Sequence, residues 1–531
     1  MTRPTPTNLP GLLERRAAAT PDKIVLRCED EALSYRALLE SAGRLASGLA
    51  GLGVGRDDTI CQMLDTSADH VAAWLAINWL GAIEAPINTG FRGDALLRAL
   101  VLTRAPVLII DAAYLEHVRD LLPQAHTVRH LVVRGDFDPG LVPDGMNVSR
   151  FDALAASPAP APPIVENAPS DTAQLLFTSG STGPSKACRI PHRYVLGQPE
   201  IFCRELGIGA DDTLFAPFPL FHVDGAIFTV AAAIHAGATA ALQPRFSASR
   251  FWEDCRRHKA TVFDYMGATL TMLFRKPGGP GERDHQLRLG WGVPLPPFAD
   301  AFEQRFGLEL VEVYGLSDAG IVLVNRPGEP LREGSCGRAV EPFDVRIHDS
   351  EGRELPDGEI GEIVIRSNDR FLITTGYEGD EEANAAAFRG DWLRTGDLAR
   401  RDSDGYFFFV GRLKDIIRRR GENISAFDVE QCLLAHPDIG EAAAYGVPSD
   451  LTEEDLMTTV VARAGVHLDP RALHDWIAAR LAPYMVPRYI RIATALPRTP
   501  TEKVAKHVLV AEGVTADAID FEVSAPVARA G

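Results

Sequence analysis

Residues 178–192 read Thr178-Ser179-Gly180-Ser181-Thr182-Gly183-Pro184-Ser185-Lys186-Ala187-Cys188-Arg189-Ile190-Pro191-His192. They follow a short apolar run, Ala173 to Phe177, whose composition predicts a strand. Glycines let the backbone turn sharply and approach a ligand. Successive N–H groups then converge on an anion, and the hydroxyls of Thr178, Ser179, Ser181 and Thr182 together with Lys186 add donors. This is the chemistry of a phosphate-gripping loop. It departs from the P-loop, because no Gly-Lys-Ser/Thr stands at the required spacing. A Ser/Gly-rich surface turn has the same composition, so the rest of the chain decides between the two.

A chain of 531 residues is too long for one core, and at least two domains are expected. The formal net charge of −18 argues against nucleic acid as a partner and makes a lysine beside a glycine-hydroxyl loop more informative. Seven cysteines form no Cys-x-x-Cys pair, which argues for a reduced, cytoplasmic location and against a zinc site. The apolar stretch Val223 to Leu242 holds Asp224, His235 and several glycines, so a buried helix is expected there and no membrane span.

Helix and strand alternate through the first 330 residues, as in Tyr35–Leu52, Leu97–Leu102 and Val107–Ile110. The expected class is α/β: a large N-terminal domain with parallel sheets. Short alternating runs between Phe343 and Val410 predict a small, mostly antiparallel β unit within it. We place the N-terminal domain at residues 1–411, a small mobile α+β C-terminal domain at 412–510 and a flexible tail at 511–531.

Four further segments carry polar chemistry. Tyr314-Gly315-Leu316-Ser317-Asp318 follows the strand-like run Leu308 to Val313, at a strand end, where α/β folds place ligands. Asp391-Trp392-Leu393-Arg394-Thr395-Gly396-Asp397 ends in a carboxylate able to accept two ribose hydroxyls. Gly411-Arg412-Leu413-Lys414-Asp415 runs on to Arg420-Gly421-Glu422-Asn423-Ile424-Ser425. Pro497 to Lys506 offers Lys503 as a point charge for phosphate.

Together with Pro219-Leu220-Phe221-His222, these segments in this order resemble the adenylate-forming superfamily, and its acyl-CoA ligase branch most closely. The resemblance runs from Ala19-Thr20-Pro21-Asp22-Lys23 to Lys506. It implies two half-reactions: a carboxylic acid and ATP·Mg²⁺ give an acyl-adenylate, and coenzyme A then displaces AMP. It implies that the loop Thr178, Ser179, Gly180, Ser181, Thr182, Gly183 and Lys186 grips pyrophosphate, that Tyr314 stacks on adenine and that Ser317 meets the α-phosphate. Asp397 and Arg412 would hold the ribose, and Asp318 with Thr182 would hold the metal. Lys503 would be the adenylation lysine, Lys414 the hinge and Gly421 the glycine beside the pantetheine arm. His222 would line the acyl route.

The chain departs from the family pattern at three places: Ser317-Asp318 replaces Thr-Glu, Ala187 replaces glycine, and Glu502 precedes Lys503 where glycine is common. Aspartate retracts the carboxylate by ~1.5 Å relative to glutamate, and Mg²⁺ tolerates little slack, so slower adenylation is expected. Two alternatives stay open: a ligase specialised for thiolating an adenylate made elsewhere, and an adenylation enzyme charging a carrier protein. A nucleotide-binding module without turnover is a third. Small residues at Gly225, Ala226, Gly267 and Ala268 predict room for a bulky acid. The sequence carries no signal of oligomeric state.

Overall fold

The computed structural model describes residues 5–178, 185–279, 281–419, 422–449, 454–499 and 503–521. Two large sheets dominate. The seven-stranded sheet is built from Thr59–Met63, Ile83–Pro86, Val107–Asp111, His130–Arg134 and Asn147–Arg150, with Thr172–Phe177 and Ala187–Pro191 at one edge. All its pairings are parallel except the last, which is antiparallel. Val107–Asp111 is buried along its whole length, as a strand covered on both faces must be. Inside this sheet the Glu84 carboxylate accepts from Gln62 Nε2 at 2.7 Å and from Gln174 Nε2 at 2.5 Å. That polar rung ties three adjacent strands together.

The second sheet has 14 strands. Its parallel half includes Thr213–Ala216, Val262–Met266, Leu289–Val293 and Glu309–Leu316. It then turns antiparallel through Gly320–Val324, Gly337–Ala339, Tyr406–Arg412, Trp392–Arg401, Gly361–Ser367 and Phe343–His348. The antiparallel unit expected between Phe343 and Val410 is therefore continuous with the parallel sheet. Helices Tyr35–Gly51, Ala68–Trp79 and His192–Glu205 contribute to one core that holds residues of both sheets. Ser34 and Ser67 accept from Ala37 N and His70 N at 3.2 Å each and so cap the first two helices.

The stretch from Val223 to Leu242 is not one helix. Helical and π-helical turns run from Val223 to Ala236, and the chain reverses at Gly237 (φ +72°). Thr239–Leu242 then forms a buried strand between Ile24–Cys28 and Thr213–Ala216.

After Arg412 the chain leaves the large sheet through the short turn Leu413–Asp415. It forms a hairpin, Ile416–Arg419 with Glu422–Ser425, and a four-stranded sheet with helices Ala426–Leu434 and Pro470–Ala478. Residues 511–521 differ from the loose tail expected of them. Ile519–Asp520 pairs with Tyr489–Ala493 as the fourth strand. Arg488 meets Asp520 at 2.9 Å, Arg491 meets Asp517 at 3.1 Å, and Phe521 stacks on His474 at 4.2 Å. Small-residue composition concealed these anchors.

Candidate functional site

Thr178 follows directly on a strand, and Ala187 opens the antiparallel partner with Phe177 opposite it. Thr178 N donates to Lys186 O at 2.9 Å and Ser185 Oγ donates to Thr178 O, so the two ends of the loop are clamped together. Ser179, Gly180, Ser181, Thr182 and Gly183 lie outside the described residues. Lys186 Nζ stands 4.7 Å from the centre of the Tyr377 ring.

Tyr377 leads to Asp318. Asp318 lies just past the strand Glu309–Leu316, where a turn to Gly320 (φ +66°) starts the return strand. A Cβ at residue 320 would lie 2.1 Å from the Gln198 carboxamide, so only glycine fits that turn. The Asp318 carboxylate is buried. It accepts from the Tyr377 hydroxyl and faces Cys188 Sγ at 3.7 Å. Burial raises its pKa, while Tyr377, Cys188 and the Lys186 charge oppose the rise. Ser317 is half-buried, and its carbonyl accepts from Tyr194 Oη at 3.2 Å.

A second cluster adjoins on the same strand. Tyr314 is buried, and its hydroxyl donates to Asp397 Oδ2 at 2.8 Å. Asp397 and Arg412 are opposite each other on paired strands, with Arg412 Nε 3.1 Å from Asp397 Oδ1. That contact has the distance of an ion pair but not hydrogen-bond geometry, since Oδ1 has no hydrogen-bond partner among the described residues. Burial raises the Asp397 pKa, with Arg412, Tyr314 and Lys503 opposing.

Lys503 arrives from the C-terminal unit. Its backbone is fixed by Thr499, whose N–H donates to Lys503 O at 2.7 Å. The side chain is exposed by surface area yet densely surrounded by protein, a combination met on the wall of an open cleft. Desolvation lowers the Lys503 pKa, Asp224 raises it, Arg412 lowers it and Asp397 raises it.

His222 precedes the helical turn Val223–Gly225. Burial, reinforced by Lys503, pushes its pKa down to about 3, so the imidazole is neutral. Its Nε2 has no partner among the described residues. Gly421 lies outside those residues, and of Lys414 only the backbone, in the turn Leu413–Asp415, is described.

The structure thus brings together Lys186 with Asp318, Tyr314 with Asp397 and Arg412, and His222 with Lys503. It also adds residues that sequence reasoning left out. Cys188 and Tyr377 hold Asp318; Thr374-Thr375-Gly376-Tyr377 repeats the hydroxyl-glycine texture and was the available signal. Asp224 follows His222 by two residues and lies within the field of Asp264, and only Asp224 was signalled, by its place in the sequence. Two of the four small residues expected to make room for the acid, Gly225 and Gly267, have another role. A Cβ on Gly225 would lie 2.9 Å from Pro219 O, and one on Gly267 would lie 3.0 Å from Pro294 O. Close backbone packing sets these glycines. Among the described residues no group of three or more His, Cys, Asp or Glu side chains is placed to hold a metal, and no helix is long and apolar enough to cross a membrane.

Residues 13–377 match the AMP-binding enzyme family, and residues 428–503 match the AMP-binding enzyme C-terminal domain. The crotonobetaine/carnitine–CoA ligase of Salmonella choleraesuis (strain SC-B67) is 30% identical over 512 residues, covering 94% of this chain and 98% of that protein. The sulfoacetate–CoA ligase of Cupriavidus necator is 31% identical over 504 residues, covering 94% and 96%. The crystal structure of an anthranilate CoA ligase in complex with anthranoyl-AMP superposes with a TM-score of 0.86 at 27% identity, covering 95% of this chain and 97% of that one. The two family matches and the near-full-length relatives agree, and the chain belongs to the AMP-binding enzyme family.

Proposed function

We propose that this protein is an ATP-dependent, AMP-forming acyl-CoA ligase that uses the residues described above in the following roles. In the first half-reaction a carboxylate oxygen bonds to the α-phosphorus of ATP and the bond to pyrophosphate breaks. In the second, the coenzyme A sulfur bonds to the acyl carbon and AMP leaves. The observation that carries the reading is Lys503, on the C-terminal unit, lying within the field of both Asp224 and Asp397 on the large one. A cation there offsets the repulsion between acid and α-phosphate and the charge growing at phosphorus.

In this reading Thr178 and Lys186 frame the pyrophosphate loop, with Ser179 to Gly183 between them. Tyr314 packs against adenine, Asp397 and Arg412 take the ribose, and Ser317 offers its hydroxyl to the α-phosphate. The neutral His222 positions the acid without competing as a cation. Lys414 marks the hinge about which the C-terminal unit turns, and Gly421 leaves a path for pantetheine.

Asp318 fits the magnesium position in chemistry. It is a buried carboxylate with acceptor capacity left beyond Tyr377 and Cys188, and Mg²⁺ usually takes one or two protein oxygens beside phosphate and water. When bound, the ion neutralises phosphate charge; Thr182 would be its second protein ligand.

The same observation favours a second reading. Asp318 is short and already held by Tyr377 and Cys188. A ligase that thiolates a supplied adenylate faster than it makes one accounts for that. Transfer to a carrier protein's thiol is chemically equivalent to transfer to coenzyme A and is separated by the thiol supplied. Acid-dependent ATP–pyrophosphate exchange, run beside thioester formation from supplied adenylates with coenzyme A or a phosphopantetheinyl carrier, tests all three.

A further inference from the structure

Asp264 is 1% exposed, and neither of its carboxylate oxygens has a hydrogen-bond partner among the described residues. Burying a carboxylate without partners is costly, so its retention needs a reason. Asp264 lies at the middle of the strand Val262–Met266, two residues before the C-terminal end at which α/β folds place ligands. Its neighbour in register is Trp291 on the adjacent strand. Side chains paired in this way share a face. The Trp291 ring packs 4.8 Å from Phe202 and 5.8 Å from Phe228. Phe228 belongs to the π-helical stretch Ala226–Ala231, which directly follows the turn carrying Asp224. Asp264 is therefore on the sheet face covered by the His222–Asp224 segment, and Asp224 is the charge it feels there.

Among the described residues, Asp224 faces Lys503, Asp264 and the Tyr194 phenol, and Asp264 also faces the Tyr265 phenol; His222 faces Lys503 and is neutral. With Lys503 matched to Asp224, one carboxylate remains without a counter-charge. We propose that Asp264, with Asp224, recognises a cationic nitrogen on the acyl chain of the acid, so that the substrate is a zwitterionic acid carrying an ammonium or quaternary ammonium group. This deepens the ligase reading and rests on it. The acid's carboxylate meets Lys503, and its cation takes the place of the missing counter-charge at Asp264. Burial and Asp224 both raise the Asp264 pKa, and an ammonium group beside it favours the charged carboxylate.

The test is a panel of isosteric acids: 4-(trimethylammonio)butanoate against 5,5-dimethylhexanoate, and ω-amino acids of four to six carbons against their methyl and hydroxyl counterparts. The readout is kcat/KM for thioester formation with ATP and coenzyme A. The expected result is a preference of about 100-fold or more for the cationic member of at least one pair, the scale of a buried charge gaining or losing its partner. In Asp264→Asn that ratio should collapse by a similar factor. Equal or better use of the neutral or hydroxylated members overturns the proposal while leaving the ligase intact. Failure of every acid overturns the ligase reading as well. Thermal unfolding of the free protein supplies an independent readout. Asp264→Asn removes an unpaired buried carboxylate, so the variant should unfold at a higher temperature than the parent at pH 8. A lower temperature marks Asp264 as a structural group and sinks the idea.

Discussion

Lys503 and Asp224 are 279 positions apart in the chain (503 − 224), and each shifts the acidity of the other: the lysine charge lowers the Asp224 pKa against its burial, and the aspartate charge raises the lysine's against its desolvation. The structure therefore holds the C-terminal unit with its lysine turned toward the strand ends of the large sheet. In the proposed mechanism this posture serves adenylation, and the thiol step follows a turn of the C-terminal unit.

Lys503→Ala should cut acid-dependent ATP–pyrophosphate exchange by about 100-fold or more, the scale of losing a group that stabilises transition-state charge. Thioester formation from a supplied acyl-adenylate should fall far less. Equal losses in the two assays would remove Lys503 from the first step.

Asp318→Glu combined with Ser317→Thr should raise pyrophosphate exchange severalfold. The longer carboxylate reaches ~1.5 Å beyond the grip of Tyr377 and Cys188. Thiolation of a supplied adenylate should change little, because pyrophosphate has already left by then. If exchange stays flat or drops in the double variant, the shorter carboxylate is not what limits adenylation.

Lys414→Pro fixes φ and removes a backbone donor in the turn that leads out of the large sheet. With the lysine posture held, exchange should persist and transfer to coenzyme A should slow by about tenfold or more. Matching rates in parent and variant would locate the hinge at another residue.

The C-terminal unit should lose stability in acid through Asp455. This buried carboxylate lies 3.3 Å from Arg419 Nε and 2.8 Å from Arg488 Nη1. Desolvation pushes its pKa up, but hydrogen bonds from Ser449 and Arg488 and the arginine charges outweigh it, and the net shift is downward. A carboxylate with a depressed folded-state pKa stabilises the fold above its unfolded value of about 4, and that contribution is lost below this value, as pH falls through the lower folded-state pKa. Asp455→Asn should cost about 2–4 kcal/mol at pH 7 and flatten the acid limb. Urea unfolding from pH 7 down to about pH 2 measures both; an acid limb as steep as the parent's would assign the acid sensitivity to other carboxylates.

Much of this molecule was legible in its sequence because the signals were local. The strand before Thr178, the helix ending at Gly51 and the polar segments at Tyr314 and Asp397 each follow from neighbouring residues. What escaped depends on contacts distant in sequence. Tyr377 reaches Asp318 across 59 positions (377 − 318), and the hydroxyl-glycine texture of Thr374-Thr375-Gly376 before it marks a loop without naming its partner. Asp264 looks like an isolated charge in an apolar strand until register places it beside Trp291 and under the Asp224 segment. The glycines at 225 and 267 suggested open space, whereas neighbouring carbonyls fill it.

The central claim is that one cleft performs both half-reactions, and the most direct measurement is a single-turnover assay with ATP, coenzyme A and a panel of acids, following pyrophosphate, AMP and thioester together. The account predicts that pyrophosphate appears first and only with a competent acid, and that AMP and thioester then appear in equal amounts. Thioester formed only from supplied adenylates, with no pyrophosphate released from ATP for any acid that the enzyme thiolates, would contradict it.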